Sequence, residues 1–255
     1  MLSVVIPYYI DSGNKYFIED WLVDCEDIEI IFVQDIHNNH PGLSLEYLVA
    51  KYSNIRIIHT AGNFEGPGLA RNAGMKFANS EFISFWDIDD LPNVSNFLHM
   101  THEAHSGQYC AGVGFFNKAL VNHQNLKIDK LSPQRGLSTF DLALNPGIWR
   151  WVFRSSLLKE IYFENINMGE DQVFMQSINV FDHKILKYDD FVYTYMKGWV
   201  TQLTNSYRHH IDIESALRMV GRTFWEGSWR SKYFRVVMLV RLFLTLIKSR
   251  LTKWN

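Results

Sequence analysis

Apolar runs alternate with segments of helical spacing through the first half of the chain. Between the runs, apolar positions recur every three or four residues, which predicts helices over Tyr16–Val23, Leu43–Tyr52 and Leu69–Ala78. The runs themselves predict four buried strands, the first of which we expect Pro7 to end: Leu2–Ile6, Glu29–Gln34, Ile55–Thr60 and Phe82–Trp86. This alternation is typical of an α/β fold with a mostly parallel central sheet flanked by helices.

The second half of the chain is less regular. We expect a helix over Asn93–His105, a strand over Tyr109–Phe116, and an irregular excursion over Lys118–Leu137. A further helix over Glu170–Val180 and an aromatic strand over Tyr188–Tyr195 follow. From His209 onward the spacing predicts helix to the end of the chain, so a helical C-terminal extension completes the predicted fold.

Composition and charge narrow the possible classes of protein. A chain of 255 residues, 47% apolar and 20% charged, fits one large domain or a domain with an appendage. After Glu226 there are seven basic residues and no acidic one, so the preceding part carries a net charge of −9. An acidic body argues against nucleic-acid binding. Two cysteines exclude a disulfide framework or a multi-cysteine zinc site.

The N-terminal residues bear on location. Met1–Pro7 has neither the charged start nor the long apolar stretch of a signal peptide. No uninterrupted run of 18 apolar residues occurs in the sequence. We therefore expect a cytoplasmic enzyme.

Polar side chains follow the predicted strands at the points where the strands end. These residues are Pro7 and Tyr9, Asp35, Asn63 and Asp87. In an open α/β sheet, ligands bind beyond the carboxyl ends of the strands. We expect these residues to line one crevice.

Three carboxylates follow the fourth strand within four residues, in Asp87-Ile88-Asp89-Asp90. Like charges this close are costly unless a cation neutralises them. Alternate residues can point to one side, so Asp87 and Asp89 can face the same ligand. Carboxylate oxygens suit Mg²⁺ or Mn²⁺ bound together with a diphosphate. A solvated surface turn is the simpler alternative.

Gly62, Gly66 and Gly68 precede the predicted third helix. Their backbone amides can approach an anion at the start of the helix. Arg71 can reach a phosphate or pair with Asp87, unless it lies on a solvated helix face. Neither a G-x-G-x-x-G motif nor a P-loop is present, which disfavours dinucleotide-binding dehydrogenases and P-loop NTPases.

Gly169-Glu170-Asp171 places two acids at a predicted helix start. Acids in a first turn commonly stabilise the helix alone. A carboxylate beside an acceptor hydroxyl can instead act as a general base. The residues by themselves leave both interpretations open.

Taken in order, five motifs resemble those of family 2 inverting glycosyltransferases with a GT-A fold. The motifs are Val4-Val5-Ile6-Pro7-Tyr8-Tyr9, Ile31-Phe32-Val33-Gln34-Asp35, Gly68-Leu69-Ala70-Arg71-Asn72, Phe85-Trp86-Asp87-Ile88-Asp89-Asp90 and Gly169-Glu170-Asp171. The resemblance covers about residues 1–205 and implies a UDP-sugar donor and Mn²⁺ or Mg²⁺. It further implies that Asp35 contacts the uracil, that Asp87 contacts the ribose or donor sugar, that Asp89 binds the metal, and that Asp171 is the base.

The sequence departs from the family pattern in three places. Ile10 replaces an asparagine, Gln34-Asp35 replaces paired aspartates, and Ile36-His37 replaces Gly-Ser. The Gln-x-x-Arg-Trp motif of processive synthases is absent. This absence favours the addition of one sugar per encounter.

The resemblance also divides the chain. We expect residues 1–205 to form the nucleotide-sugar transferase domain, with the donor bound by 1–117 and the acceptor by 118–205, and residues 206–255 to form the extension. On the acceptor side we place Glu170, Trp149 and Trp199. The indoles of the two tryptophans can stack on sugar rings or simply pack in the core.

The last helix combines the apolar face of Val236–Ile247 with seven cations. A helix lying at an anionic membrane surface has this pattern, and so has one docked on the domain. We expect peripheral association with the inner face of the membrane. For a bacterial protein, the resemblance then implies a polyprenyl-diphosphate-linked glycan acceptor in O-antigen, capsule or similar polysaccharide synthesis.

Two other functions remain as alternatives. A sugar-nucleotide nucleotidyltransferase would need a glycine-rich basic loop after the first strand, where this chain has Pro7-Tyr8-Tyr9-Ile10-Asp11. A catalytically silent module that binds nucleotide sugars would not need Asp87, Asp89 and Asp171, which are all present.

Overall fold

One sheet organises the part of the chain that the computed structural model describes, residues 1–9, 18–22, 24–36, 45–63, 66–122, 127–166, 169–197 and 209–251. The strands are β1 (Leu2–Tyr9), β2 (Ile28–Ile36), β3 (Ile55–Asn63), β4 (Phe82–Phe85), β5 (Leu91–Pro92), β6 (Ala111–Asn122), β7 (Lys127–Gln134), β8 (Trp151–Arg154) and β9 (Ile185–Lys197). Within these residues the sheet has nine strands, in the order β3-β2-β1-β4-β8-β6-β9-β5, with β7 paired to β6.

Helices cover both faces of this sheet. They are α1 (Ile18–Leu22), α2 (Glu46–Lys51), α3 (Gly66–Met75), α4 (Val94–Ser106), α5 (Thr139–Leu144), α6 (Glu170–Ser177), α7 (His209–Arg222) and α8 (Trp229–Leu251). Pairings among β1–β4 and between β6 and β9 are parallel, whereas β5, β7 and β8 pair antiparallel. The predicted mostly parallel sheet flanked by helices, with a helical C-terminal part, is confirmed.

Alternate residues of the central strands point to opposite faces, which gives two hydrophobic cores. Val5 and Phe85 belong to the core covered by α3, α6, α7 and α8. Val4 and Phe82 belong to the core covered by α1, α2 and α4. Burial on both faces explains why these strands are continuously apolar in sequence.

The first strand runs through Pro7, so the prediction that Pro7 ends it is wrong. Pro7 lies opposite Val33 of β2, and Tyr9 lies opposite Asp35. On the other side of β1, the pairing with β4 stops at Val5. Beyond Val5, β1 has no described strand paired to it on the β4 side, so it is an edge strand there. Proline is tolerated at an edge because no backbone N–H is needed for pairing.

The predicted irregular excursion over Lys118–Leu137 is also wrong for most of its length. Residues 118–122 continue β6, and β7 returns antiparallel to it. Single-sequence periodicity misses this pair because β7 is polar and mostly exposed, and because residues 118–122 alternate the buried Ala119 and Val121 with less buried side chains over too short a stretch.

The C-terminal chain forms two helices that pack against the body. Residues 223–228 separate α7 from α8. Helix α8 buries Phe234, Met238, Leu242 and Leu246, spaced four residues apart, in the core beneath α3 and α6. None of the described helices combines the length and apolarity needed to cross a membrane.

Candidate functional site

The turn after β4 is built around one buried apolar side chain. Ile88 is buried among the residues that contact α4. Its neighbours Asp87 and Asp89 are half-buried, and the Asp90 amide donates to the Asp87 carbonyl at 3.2 Å. Anchoring Ile88 therefore leaves the two flanking carboxylates at the rim of the sheet, as the sequence predicted.

A strand from the second half of the chain supports this turn. The Asp87 amide donates to the Tyr193 hydroxyl at 2.9 Å, and Asp90 accepts from the Met196 amide at 2.7 Å. Both partners belong to β9. Asp90 is buried and acts as a brace, so it is not available to a ligand in the way that Asp89 is.

Arg71 of α3 links the turn to α6. Its Nη2 lies 2.6 Å from Asp87 Oδ1, and its Nη1 lies 3.0 Å from Glu170 Oε1. The guanidinium is buried and lies 5.5 Å above the centre of the Phe163 ring. The sequence predicted that Arg71 would reach a phosphate or pair with Asp87, and the structure shows the pair with Asp87.

Asp89 faces no compensating cation in the described residues that would offset its burial. Burial and the neighbouring Asp87 charge raise the pKa of Asp89 to about 7. Burial, together with Asp89 and Asp87, also raises the pKa of Asp90. A carboxylate held this way gains strongly from a bound cation.

The donor set suits a metal that is shared with a phosphate ligand. Among the described residues, no three His, Cys, Asp or Glu side chains lie close enough to hold a metal ion by themselves. Mg²⁺ and its analogues commonly take only one or two protein carboxylates and fill the remaining positions with phosphate oxygens and water. Asp89 fits the role of the protein carboxylate that binds the metal, and Asp87 is the carboxylate beside it.

Asp171 lies in the first turn of α6, next to Glu170. Gly169 precedes the helix with a φ of +86°, a conformation that favours glycine. Asp171 is half-buried. Burial raises the pKa of Asp171, while the nearby cations Arg241 and Arg71 act in the opposite direction. The carboxylate that is predicted to be the general base therefore lies near two arginines.

Gly68 allows a close approach between α3 and the segment before α6. A Cβ at this position would lie 3.0 Å from the Glu164 carbonyl oxygen, 3.1 Å from Phe163 Cβ and 3.4 Å from Glu170 Cγ. The glycine thus brings Arg71 within reach of Glu170. Contact of the Gly68 amide with a phosphate stays a prediction.

The remaining residues that are predicted to bind the donor lie at or near the ends of their strands. Pro7 is half-buried, Tyr9 is in register with Asp35, and Asn63 is in register with Ile36. For Tyr9, Asp35 and Asn63 the structure describes the backbone alone, so their contacts with a nucleotide stay predictions.

Trp149, predicted to contact the acceptor, lies in an aromatic stack with two tyrosines of β9. Its ring is parallel to that of Tyr195 at 5.5 Å and close to parallel to that of Tyr193 at 4.7 Å. The indole is half-buried, so part of it is accessible beside the stack. Trp199 lies outside the described residues.

Sequence reasoning missed three contributors to this site. Tyr193 and the pairing of Glu170 with Arg71 carry no sequence signal, because each contact joins distant segments. Arg241 was grouped with the basic residues of a membrane-facing helix. Arg241 lies in the sequence between Met238 and Leu242, which are both buried. This neighbourhood is the sequence signal that could have shown that Arg241 points inward.

Known proteins resemble this chain in sequence over most of its length. An uncharacterized glycosyltransferase of Bacillus subtilis, EpsJ, is 26% identical over 217 residues, covering 78% of this chain and 61% of that protein. A poly(ribitol-phosphate) β-glucosyltransferase of Bacillus spizizenii is 29% identical over 210 residues, covering 76% of this chain and 32% of that protein. The chain thus spans less than two thirds of these relatives.

Solved structures share the fold. Residues 1–349 of Staphylococcus aureus TarS, crystallised with UDP-GlcNAc, superpose with a TM-score of 0.74 at 19% identity, covering 96% of this chain and 72% of that one. The model of the family described as glycosyl transferase family 2 matches residues 3–162. This match covers more than half of the sequence, including β2–β4 and all of β1 except Leu2, so the chain belongs to glycosyl transferase family 2.

Proposed function

We propose that the protein transfers one sugar from a UDP-sugar to a hydroxyl of a cell-surface glycan, with inversion at the anomeric carbon. The observation that carries this proposal is the joint fixing of two carboxylate groups by Arg71. The guanidinium holds Asp87 of the donor-side turn and Glu170, the neighbour of Asp171. This arrangement provides an acidic site for a metal and a separate candidate base.

Asp89, with Asp87 beside it, would hold Mn²⁺ or Mg²⁺. When bound, the metal neutralises charge on the diphosphate and stabilises UDP as it leaves. Asp35 would accept from the uracil, and Pro7, Tyr9, Asn63 and Ile88 would shape the nucleotide pocket. Family membership and the UDP-GlcNAc complex of TarS support a UDP-linked donor.

Asp171 would act as the general base. Its carboxylate accepts the proton of the acceptor hydroxyl while that oxygen attacks the anomeric carbon from the face opposite UDP. A single displacement inverts that carbon. Burial raises the pKa of Asp171, and the charges of Arg241 and Arg71 act against this rise in favour of the ionised form, which a base requires.

The proposed acceptor is a glycan of the bacterial cell surface, carried on a polyprenyl diphosphate. Relatives named as poly(ribitol-phosphate) glycosyltransferases support a role in cell-wall polysaccharide synthesis. Trp149, with its stacked tyrosines, would contact the acceptor sugar.

Association with the inner face of the membrane is the second part of this proposal. Helix α8 uses one stripe for the core and leaves a second apolar stripe exposed. That exposed stripe consists of Tyr233, Val236, Val240, Phe243, Leu244 and Ile247. On the same helix Arg230, Lys248 and Arg250 are exposed and Lys232 is half-buried, and these cations suit anionic lipid.

A thermal-shift screen of UDP-, GDP- and dTDP-sugars with Mn²⁺ tests the donor. Ligands that bind only the native state raise Tm, so UDP-sugars should give the largest increase. Asp89→Asn should weaken Mn²⁺-dependent UDP binding by about tenfold or more, because even outer-shell losses at metal sites cost about 10- to 100-fold. Asp129→Asn, a change at an exposed carboxylate of β7, is the matched control.

Release of UDP separates an enzyme from a silent binding module. Turnover of a UDP-α-sugar should yield a β-linked product in the NMR spectrum. An α-linked product would exclude inversion, and binding of UDP-sugars without any release would favour the module.

A further inference from the structure

Three cations lie together on the acceptor half, on three different elements. Lys118 is on β6, Lys197 is on β9 and Arg241 is on α8. In the parallel β6–β9 pair, Lys118 is opposite Tyr195, and Lys197 is the next residue of β9 on the same face. The two lysines therefore extend the surface that carries the aromatic stack.

The position of this cluster is set relative to the donor-side turn. Tyr193 contacts the Asp87 amide, and Tyr195 and Lys197 follow it on one face of β9. With a rise of about 3.3 Å per residue, Lys197 lies about 13 Å along the strand from Tyr193. The cluster thus continues away from the proposed metal site, beyond the Trp149 stack.

Arg241 is brought to this place by the packing of α8. Met238 and Leu242 on either side of it are buried in the core, and α8 contacts both α5 and α6. Within the described part of the chain, Arg241 Nη1 is buried and has no hydrogen-bond partner. Burial lowers the pKa of Arg241, and the attraction of Asp171 opposes this effect.

Lys118 experiences the same accumulation of positive charge. Its Nζ donates to Asn145 Oδ1 at 2.9 Å and lies 5.4 Å above the Phe116 ring, and neither partner carries a negative charge. Burial and the charges of Lys197, Arg241 and Arg150 lower the pKa of Lys118. Clustered cations of this kind are stabilised by an anion.

We propose that Lys118, Lys197 and Arg241 form an anion subsite that binds a phosphate group of the acceptor while its hydroxyl lies at Asp171. This inference rests on the proposed function and adds the chemical class of the acceptor. The phosphate can belong to a lipid-linked diphosphate or to a polyol-phosphate chain, and both present the same anionic oxygens. Arginine and lysine are the side chains that bind such oxygens most strongly.

Binding measurements on the full chain test this subsite without requiring turnover. We would titrate a glycerol-phosphate hexamer and, separately, farnesyl diphosphate, with glycerol as the uncharged control. Lys118→Gln, Lys197→Gln and Arg241→Gln should each weaken binding of one of these phosphates by about tenfold, the effect of losing one charge-assisted hydrogen bond. The phosphate that binds the unaltered protein and is lost in the variants identifies the source.

Matched controls separate this subsite from general charge and from folding. The two control variants, Lys187→Gln on β9 and Lys159→Gln, change exposed cations outside the cluster and should leave phosphate binding unchanged. Arg241→Lys keeps the charge and should restore part of the binding if Arg241→Gln only perturbs packing. UDP affinity with Mn²⁺ should stay within about twofold in all variants.

Other outcomes overturn the proposal. If the variants weaken UDP binding and leave the phosphate probes unchanged, the cluster serves the donor diphosphate. If neither probe binds the unaltered protein, or the three variants bind as it does, there is no acceptor phosphate subsite. Failure of UDP itself to bind would instead reject the proposed donor, so the two failures are distinguishable.

Discussion

Arg71 and Glu170 are 99 residues apart in the chain, and their side chains lie 3.0 Å apart in the structure. Through its second nitrogen the same guanidinium binds Asp87. One buried arginine thus sets the spacing between the turn that carries Asp89 and the helix that carries Asp171. Three of the five predictions below concern contacts that join such distant segments.

Glu170→Ala should destabilise the fold by about 3–5 kcal/mol, because it leaves the buried Arg71 without one of its two carboxylates. Glu81→Ala is the matched control, since the Glu81–Arg154 pair is more exposed and should cost less than about 1 kcal/mol. Urea denaturation measures both values. Equal losses for the two variants would show that the Arg71–Glu170 pair carries no special weight.

Asp171→Asn should lower the transfer rate by about 100- to 10,000-fold, the usual contribution of a general base. UDP binding with Mn²⁺ should be retained, because Asp171 is not among the proposed donor ligands. A coupled assay of UDP release measures the rate, and calorimetry measures the binding. Asp189→Asn changes an exposed carboxylate of β9 and should leave both quantities unchanged; a rate loss below tenfold for Asp171→Asn would reject the base.

Replacing Phe243 and Leu244 together by serine should weaken binding to anionic liposomes by about tenfold or more, since each side chain offers about 1.5 kcal/mol or more of apolar burial. Both side chains are exposed, so the fold should be retained. Phe77→Ser, at an exposed phenylalanine after α3, is the control. Deletion of α8 is unsuitable as a test because the other apolar stripe of this helix belongs to the core. Unchanged co-sedimentation of the double variant with anionic liposomes would reject membrane binding.

Asp182→Ala should destabilise the docking of α8 by about 1–3 kcal/mol. Asp182 accepts from the amide of Ser228, just before α8, and from the Ser231 hydroxyl at 2.7 Å. Hydrogen exchange of α8 amides should speed up more than that of β1. Asp190→Ala on the exposed part of β9 serves for comparison, and uniform acceleration across the chain would show that α8 does not open separately.

Glu29→Gln should remove part of the acid sensitivity of the fold. Although burial opposes the effect, hydrogen bonds from Ser3 and Asn79 and the charge of Arg56 hold the pKa of Glu29 below its ordinary value. The pKa of Glu29 is therefore lower in the folded state than in the unfolded state. The ionised Glu29 carboxylate stabilises the fold fully above the unfolded pKa of about 4.3, and this contribution is lost as the pH falls through the lower folded pKa.

At pH 7, Glu29→Gln should therefore be less stable than the unaltered protein by about 1–2 kcal/mol, and the difference should shrink as the pH falls below the unfolded value of about 4.3. Urea midpoints across this range give the comparison. Glu26→Gln, at an exposed position, is the control. A constant difference at all pH values would mean that the charge of Glu29 contributes nothing.

The sequence by itself determined the elements of the N-terminal half of the chain. Continuous apolar runs such as Phe82–Phe85 predict strands buried on both faces, and the acids that follow have to emerge at the sheet edge. The identity of the Asp87–Asp90 turn and of the start of α6 was therefore readable from local pattern. Local pattern also gave the helical nature of residues 209–251, apart from the break before α8.

Only the tertiary structure decided which distant side chains meet. The edge position of β1 that tolerates Pro7, the polar β6–β7 pair, the two partners of Arg71 and the inward direction of Arg241 all depend on neighbours far away in the chain. Periodicity records whether a residue faces an apolar environment, and it contains no information on which segment supplies that environment. Side-chain pairs across 99 residues are fixed by the packing of whole helices on the sheet, where a close contact such as that at Gly68 sets the distance.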